Sequence, residues 1–153
     1  MKIAEMLKKA LIIEEMKAFD KREALRELAG AFAAGRVRFD PKAMLQVLLE
    51  REKLGSTGIG DGIAIPHGKL AGLKEIVVAF GRSKPGVAFE AMDGKPVHLF
   101  FLLMAPENSS GEHLKALAKI SRMIKDGKFR EKLMAAETAE ALIRIIADKD
   151  DDL

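Results

Sequence analysis

His67, His98 and His113 are the three histidines of this sequence, which contains no cysteine. With thiol chemistry absent, imidazole is the side chain best suited to nucleophilic work near neutral pH, because it titrates near 6.5. His67 has the most informative setting, Ile63-Ala64-Ile65-Pro66-His67-Gly68. An apolar strand ends at a proline, and the next residue is a histidine followed by glycine. Such a histidine projects from a strand end, with its backbone fixed on one side and uncrowded on the other. A neutral ring nitrogen can attack an electrophilic phosphorus, while the hydrogen bond made by the other nitrogen selects the tautomer. On its own, a Pro-His-Gly turn is more often structural than catalytic.

The segment before it is Leu54-Gly55-Ser56-Thr57-Gly58-Ile59-Gly60-Asp61-Gly62, with four glycines in nine residues. Such a loop invites a phosphate-binding reading, and two nucleotide motifs fail. A Walker A loop ending at Gly68-Lys69 would need glycine at Ile63 and a hydroxyl at Leu70. The spacing of Gly58, Gly60 and Gly62 is G-x-G-x-G, which is not the dinucleotide fingerprint. No cofactor is expected. A zinc hydrolase built on His67, His98 and His113 is conceivable, but the short-spaced ligand pair usual in such sites is missing. No metal is expected either.

The run from Glu50-Arg51-Glu52-Lys53 through the glycine loop to Pro66-His67-Gly68-Lys69-Leu70 closely resembles the type-2 enzyme IIA family of the bacterial phosphotransferase system. This is the mannitol/fructose class, and the likeness is nearest to its nitrogen-regulatory branch. It extends to Phe89-Glu90-Ala91-Met92-Asp93-Gly94, to the strand from Pro96 to Met104, and to Gly111-Glu112-His113-Leu114. The resemblance implies a role for each matching residue. His67 would accept a phosphoryl group from the phosphohistidine of an HPr-like carrier. His113 matches the second active-site histidine, Arg51 the arginine near the phosphoryl group, and Ser56 and Thr57 the hydroxyl pair of the preceding loop. Plain alternatives stand beside these roles. His113 would otherwise be a helix-start residue beside Leu114 and Leu117, Arg51 a solvated charge, and Ser56 and Thr57 satisfiers of loop backbone groups. His98 lies where an acidic residue is expected in relatives, and is read as structural or surface.

These groups need elements to hold them. Leu11 to Ile13 reads as a short strand. Asp20 and Glu23 form a capping-box-like start for a helix bearing Ala24, Leu25, Leu28 and Phe32, with Gly35 as its stop. Asp40-Pro41 starts a second helix with Met44, Leu45, Leu48 and Leu49 on its apolar face, ending near Arg51 or Lys53. Ile63 to Ile65, Ile76 to Phe80 and Val97 to Met104 are strand candidates, with Pro85-Gly86 and Asp93-Gly94 as turns. Helical spacing returns at Leu114, Leu117, Ile120 and Ile124, then over Phe129 to Ala135 and Thr138 to Ala147. Asp148 to Leu153 reads as a frayed acidic tail. This pattern calls for an α/β fold with a sheet covered by helices. The resemblance makes the sheet mixed and the fold that of the family, with a single domain over residues 1–148 and a tail over 149–153. Strand order and the phosphorylated ring nitrogen stay open.

The chain of 153 residues has 26 Lys plus Arg against 23 Asp plus Glu, a net charge of +3. It carries no basic stripe and no Trp or Tyr, which argues against nucleic-acid partners. Its longest uncharged apolar run, Leu99 to Ala105, falls far short of the roughly 20 residues that span a bilayer. With no signal-peptide pattern, the expected setting is the cytoplasm. Eight methionines fall mainly on apolar faces and read as core filler. The reading as a whole is a phosphocarrier, and the absence of a transport or IIB segment from this sequence favours regulation over direct transport without deciding it, since some transport IIA subunits are separate chains. Its expected partners are an HPr-like donor and either regulatory targets or a IIB domain. The alternative is a fructose- or mannitol-specific IIA subunit passing phosphate to a IIB domain.

Overall fold

The computed structural model describes residues 2–7, 11–33 and 40–153. In chain order the elements are α1 (Ile3–Met6), β1 (Ile12–Ile13), α2 (Lys21–Ala33), α3 (Pro41–Lys53), β2 (Gly58–Gly60), β3 (Ile63–Ala64), β4 (His67–Lys69), β5 (Val77–Val87), β6 (Val97–Ala105), α4 (Ser110–Ile124), α5 (Gly127–Ala135) and α6 (Ala139–Asp151). Six strands form one mixed sheet in the order β1-β5-β6-β3-β2, with β4 also paired to β6. β5 and β6 are antiparallel, with Phe80 opposite Phe101, while β3 and β4 run parallel to β6.

The sheet is built on β6. Val97 to Ala105 is apolar except for His98, and every other residue in it is buried. A strand apolar on both faces needs cover on both. α2 and α3 pack together over β5 and β4, and α4 and α5 pack on β6. Edge-to-face aromatic pairs link β5 to β6 at Phe80 and Phe101, with centroids 5.0 Å apart, and Phe89 to Phe100, 5.4 Å apart.

β3 and β4 are one line of chain interrupted at Ile65-Pro66. Proline cannot donate to the ladder, yet its carbonyl still accepts from Leu103 N at 2.9 Å. The pairing with β6 therefore resumes at once, with His67 opposite Leu103. In sequence, Pro66 marks the end of a strand, so β4 differs from that expectation. Pro85-Gly86 likewise reads as a turn, which would end β5 early. Those residues instead lie in a bulged stretch of β5, where Gly86 takes φ +92° and Val87 regains pairing with Val97. The proposed stop at Gly35 lies outside the described residues.

A further difference is at the C-terminus. Asp148 to Leu153 does not fray as one piece, because α6 continues to Asp151 and Asp150 is buried. The Asp150 carboxylate accepts from Ala4 N at 2.7 Å, in the first turn of α1, and pairs with Lys119 of α4 at 3.1 Å. The acidic composition of the tail suggests solvation, whereas one carboxylate here has a buried task. Asp150→Ala is expected to lower stability by about 2 kcal/mol, since charge-assisted hydrogen bonds contribute about 1.5–3 kcal/mol each. Asp150→Asn, which keeps an acceptor for Ala4, should cost less. Urea denaturation midpoints of the two variants check this ranking.

Candidate functional site

Two elements bring the site together. α3 starts at Asp40, whose side chain accepts from Lys42 N at 3.0 Å, with Pro41 at the first helical position. β4 lies against α3 so closely that a Cβ on Gly68 would stand 2.6 Å from Val47 Cγ1. A side chain at 68 would therefore force Val47 to shift. Val47 and Arg51 are four residues apart and share a helix face. Packing Gly68 on Val47 therefore sets His67 beside Arg51.

The His67 ring is fixed from both sides. Nδ1 lies 2.8 Å from the carbonyl of Ile65 and must donate to it, since a carbonyl only accepts. The neutral ring then carries its lone pair on Nε2, which the Arg51 Nε–H reaches at 3.3 Å. The guanidinium also donates through NH1 to Gly55 O at 2.9 Å.

His113 enters from the first turn of α4. Its ring meets that of His67 edge-on, with centroids 5.6 Å apart at 63°. It is buried, and its Nε2 has no hydrogen-bond partner among the described residues. A buried polar atom without a partner is costly, and here it lies in the cluster where an anion would sit. Lys69, two residues beyond His67 on β4, donates through Nζ to Ser110 Oγ at 2.5 Å at the start of the same helix. The cluster thus offers one nucleophilic nitrogen, a second imidazole, a guanidinium, an ammonium and a helix N-terminus. That combination favours a transferring phosphoryl group, whose charge is spread over three oxygens.

Ser56 and Thr57 act inside the loop rather than on the histidines. Ser56 Oγ accepts from Gly58 N at 3.0 Å, and Thr57 is buried against Glu52. Gly58 is also closely approached, since a Cβ there would lie 2.9 Å from that of Ala91. Asp93 accepts from Asp61 N at 3.2 Å, holding the loop tip, where Asp61 takes φ +56°. His98 stands apart. Its Nδ1 lies 2.9 Å from Ser83 O, and it is five residues along β6 from Leu103, the partner of His67. At about 3.3 Å per residue that is roughly 16 Å, so the three histidines do not converge. Among the described residues, no group of three His, Cys, Asp or Glu side chains could hold a metal ion.

Neither Lys69 nor Glu52 is marked by its sequence setting as a site residue. Strand periodicity starting at His67 would have put Lys69 on the same face. Glu52 gave no such signal, lying within a charged run that reads as solvated.

Both site histidines have lowered pKa values. For His67 burial is the main cause and the Arg51 charge adds to it, against the Ile65 hydrogen bond and Glu52, which raise it. For His113 burial dominates, followed by the charges of His67 and Lys69. Folding therefore favours the neutral rings. Their contribution to stability is present above the unfolded value of about 6.5 and is lost as pH falls through the lower folded values. NMR titration should show both midpoints below 6.5. Stability should decline on acidification from that point, and less so in a His67→Gln, His113→Gln double variant.

Residues 5–149 match the model of the family described as "Phosphoenolpyruvate-dependent sugar phosphotransferase system, EIIA 2". The chain is 44% identical over 147 residues to a nitrogen regulatory protein of Bradyrhizobium diazoefficiens, covering 96% of this chain and 95% of that one. It is 41% identical over 151 residues to the fructose-specific EIIABC component of Bacillus subtilis, covering 98% of this chain and 24% of that protein. Its fold matches the crystal structure of the nitrogen regulatory protein IIA-Ntr from Neisseria meningitidis with a TM-score of 0.87 at 39% identity, covering 94% and 98% of the two chains. It also matches a complex of enzyme IIA-mannitol and phosphorylated enzyme IIB-mannitol from Escherichia coli, with a TM-score of 0.75 at 25% identity, covering 93% and 99%.

Proposed function

The chain belongs to the EIIA 2 family of the phosphoenolpyruvate-dependent sugar phosphotransferase system, and on that premise we propose that it is a regulatory phosphocarrier accepting a phosphoryl group on His67 Nε2 from an HPr-like donor. The observation that carries this reading is the pairing at His67. Nδ1 is committed to Ile65 O, so the lone pair is on Nε2, and a guanidinium stands 3.3 Å from it.

The Nε2 lone pair attacks phosphorus, and the N–P bond of the donor phosphohistidine breaks. The donor ring, protonated on its other nitrogen, keeps that bond's electron pair and leaves as neutral imidazole. The positive charge it loses appears on the His67 ring, whose Nδ1–H is held by the Ile65 carbonyl. Arg51 and His113 donate to the phosphoryl oxygens as charge moves between the rings. Both ends of the transfer are N–P bonds, so neither nucleotide nor metal is required.

The nitrogen-regulatory role is supported by the relative described as a nitrogen regulatory protein, which matches this chain along nearly the whole length of both. Phosphorylation would add about two negative charges to the site, a large change for a chain of net charge +3, and a target protein could read it. A second reading is favoured by the EIIABC relative and the IIA–IIB complex: onward transfer to a IIB domain for sugar transport. No helix among the described residues is long and apolar enough to cross a membrane. Incubation with phosphoenolpyruvate, enzyme I and an HPr-like protein should give an acid-labile, base-stable phosphate on the chain. Rapid loss of that phosphate to a fructose or mannitol IIB domain would decide for transport over regulation.

A further inference from the structure

We propose that Glu52 is a positioning residue for phosphoryl transfer to His67, clamping the turn after α3 so that Arg51 is aimed at the acceptor nitrogen. The inference rests on the phosphocarrier reading and names what sets the geometry of its cationic group.

Glu52 belongs to the charged run Glu50-Arg51-Glu52-Lys53 at a helix end, yet it is buried. A buried carboxylate is unfavourable unless its oxygens are well engaged, and those of Glu52 are. Oε1 accepts from Thr57 N at 3.0 Å and faces Lys21 Nζ at 3.1 Å, while Oε2 accepts from the Thr57 hydroxyl. Lys21 comes from the first turn of α2, is itself largely buried, and lies 4.9 Å from the Phe89 ring centroid. The clamp thus ties α2, α3, the glycine loop and the β5–β6 connection to one carboxylate.

The same turn holds Arg51. Its NH1 donates to Gly55 O at 2.9 Å, and Gly55 N donates to Glu52 O at 3.1 Å. With residue 55 tied to Arg51 and residue 57 tied to Glu52, the guanidinium is held so that Nε faces His67. Glu52 points to Lys21 rather than to its neighbour, and no carboxylate lies within ion-pair distance of Arg51 among the described residues. The guanidinium charge is therefore left for the phosphoryl group. The Glu52 charge is also felt at His67, where it raises the pKa against burial and Arg51.

The test uses an HPr-like protein, phosphorylated by enzyme I and phosphoenolpyruvate, as donor to the whole chain. Glu52→Gln should slow the transfer step by about tenfold to a hundredfold, the scale of small misplacements at a reacting centre. Binding of the donor should be unchanged, and the NMR titration midpoint of His67 should fall further, because a charge that raised it is gone. Thr57→Val should slow transfer similarly, and Thr57→Ser, which restores the hydroxyl, should recover most of the rate. A folded Glu52→Gln variant with wild-type transfer and an unmoved His67 midpoint would overturn the proposal. If that variant does not fold, equal rates for Thr57→Val and Thr57→Ser overturn it instead. Failure of the wild-type chain to take phosphate on His67 would sink the phosphocarrier reading itself. Normal wild-type transfer that is insensitive to Glu52 and Thr57 removes only this clamp.

Discussion

His67→Ala is expected to take up no phosphate from the phosphoenolpyruvate-driven donor chain, while keeping its fold. The ring is half-buried beside α3, and its hydrogen bonds are to a carbonyl two residues away and from the Arg51 side chain rather than to another strand, so its loss should leave the sheet intact. The chemistry offers no substitute. The chain has no cysteine, and His113 is placed as a donor to the phosphoryl oxygens rather than as the attacking group. His113→Gln should behave differently, since the nucleophile remains and only a donor to the phosphoryl oxygens is altered. Loss of one such donor typically slows a reaction by about 10²–10³, so His113→Gln should still be labelled, only more slowly. Phosphate gel mobility or ³¹P NMR at a P–N shift distinguishes the two. Undiminished labelling of His67→Ala would remove this histidine from the mechanism.

Arg82→Met is expected to be the most damaging single change to the fold. Arg82 is 1% exposed on β5. Its Nε donates to Glu14 O at 3.1 Å, and its NH1 donates to Leu133 O at 2.9 Å and to the carbonyl of Ala136. The guanidinium thus satisfies carbonyls at the C-terminal end of α5, where a cation also suits the helix dipole. Methionine would fill much of the volume but leave those carbonyls buried and unpaired. At about 1.5–3 kcal/mol per charge-assisted bond, with incomplete additivity, the loss should be about 3 kcal/mol or more. For a chain of this size that corresponds to a fall in Tm of roughly 10 °C. Arg82→Lys keeps the charge without the fork and should fall between the two. A calorimetric Tm for Arg82→Met within about 2 °C of wild type, under 1 kcal/mol on the same scale, would show that the carbonyls find other partners.

Much of this architecture could be read in the sequence because its cues were local. Asp40-Pro41 marks the start of α3, and the apolar spacing of Leu114, Leu117, Ile120 and Ile124 marks α4. The apolar run at Val97 marks the central strand. The misreadings share one cause, which is that each local cue was overruled by a distant partner. Pro66 looked like the end of a strand, yet the pairing of His67 with Leu103 carries the chain on. Pro85-Gly86 looked like a turn, yet β6 draws it into a bulged strand. The C-terminal acids looked solvated, yet Ala4 and Lys119 hold Asp150 inside.

The sequence alone determined which residue types are available for chemistry: three histidines, no thiol, and an arginine sixteen positions before the one in the Pro-His-Gly turn. It also determined the helical and strand periods that must position them. Which of these groups meet was decided only in three dimensions. His67 and His113 are 46 residues apart, on a strand and a helix whose sequences say nothing of each other. They meet because β4 pairs with β6 and α4 follows directly from the end of β6. The same holds for the ring nitrogen. A histidine in sequence offers two ring nitrogens, and Nδ1 is engaged here by donating a hydrogen bond to the carbonyl of Ile65. Glu52 is the sharpest instance. Its neighbours in sequence are charged and give it the look of a solvated helix end, but its neighbours in space are Thr57 and Lys21. Long-range packing sets the surroundings of a side chain, and those surroundings determine whether a carboxylate is surface charge or a clamp.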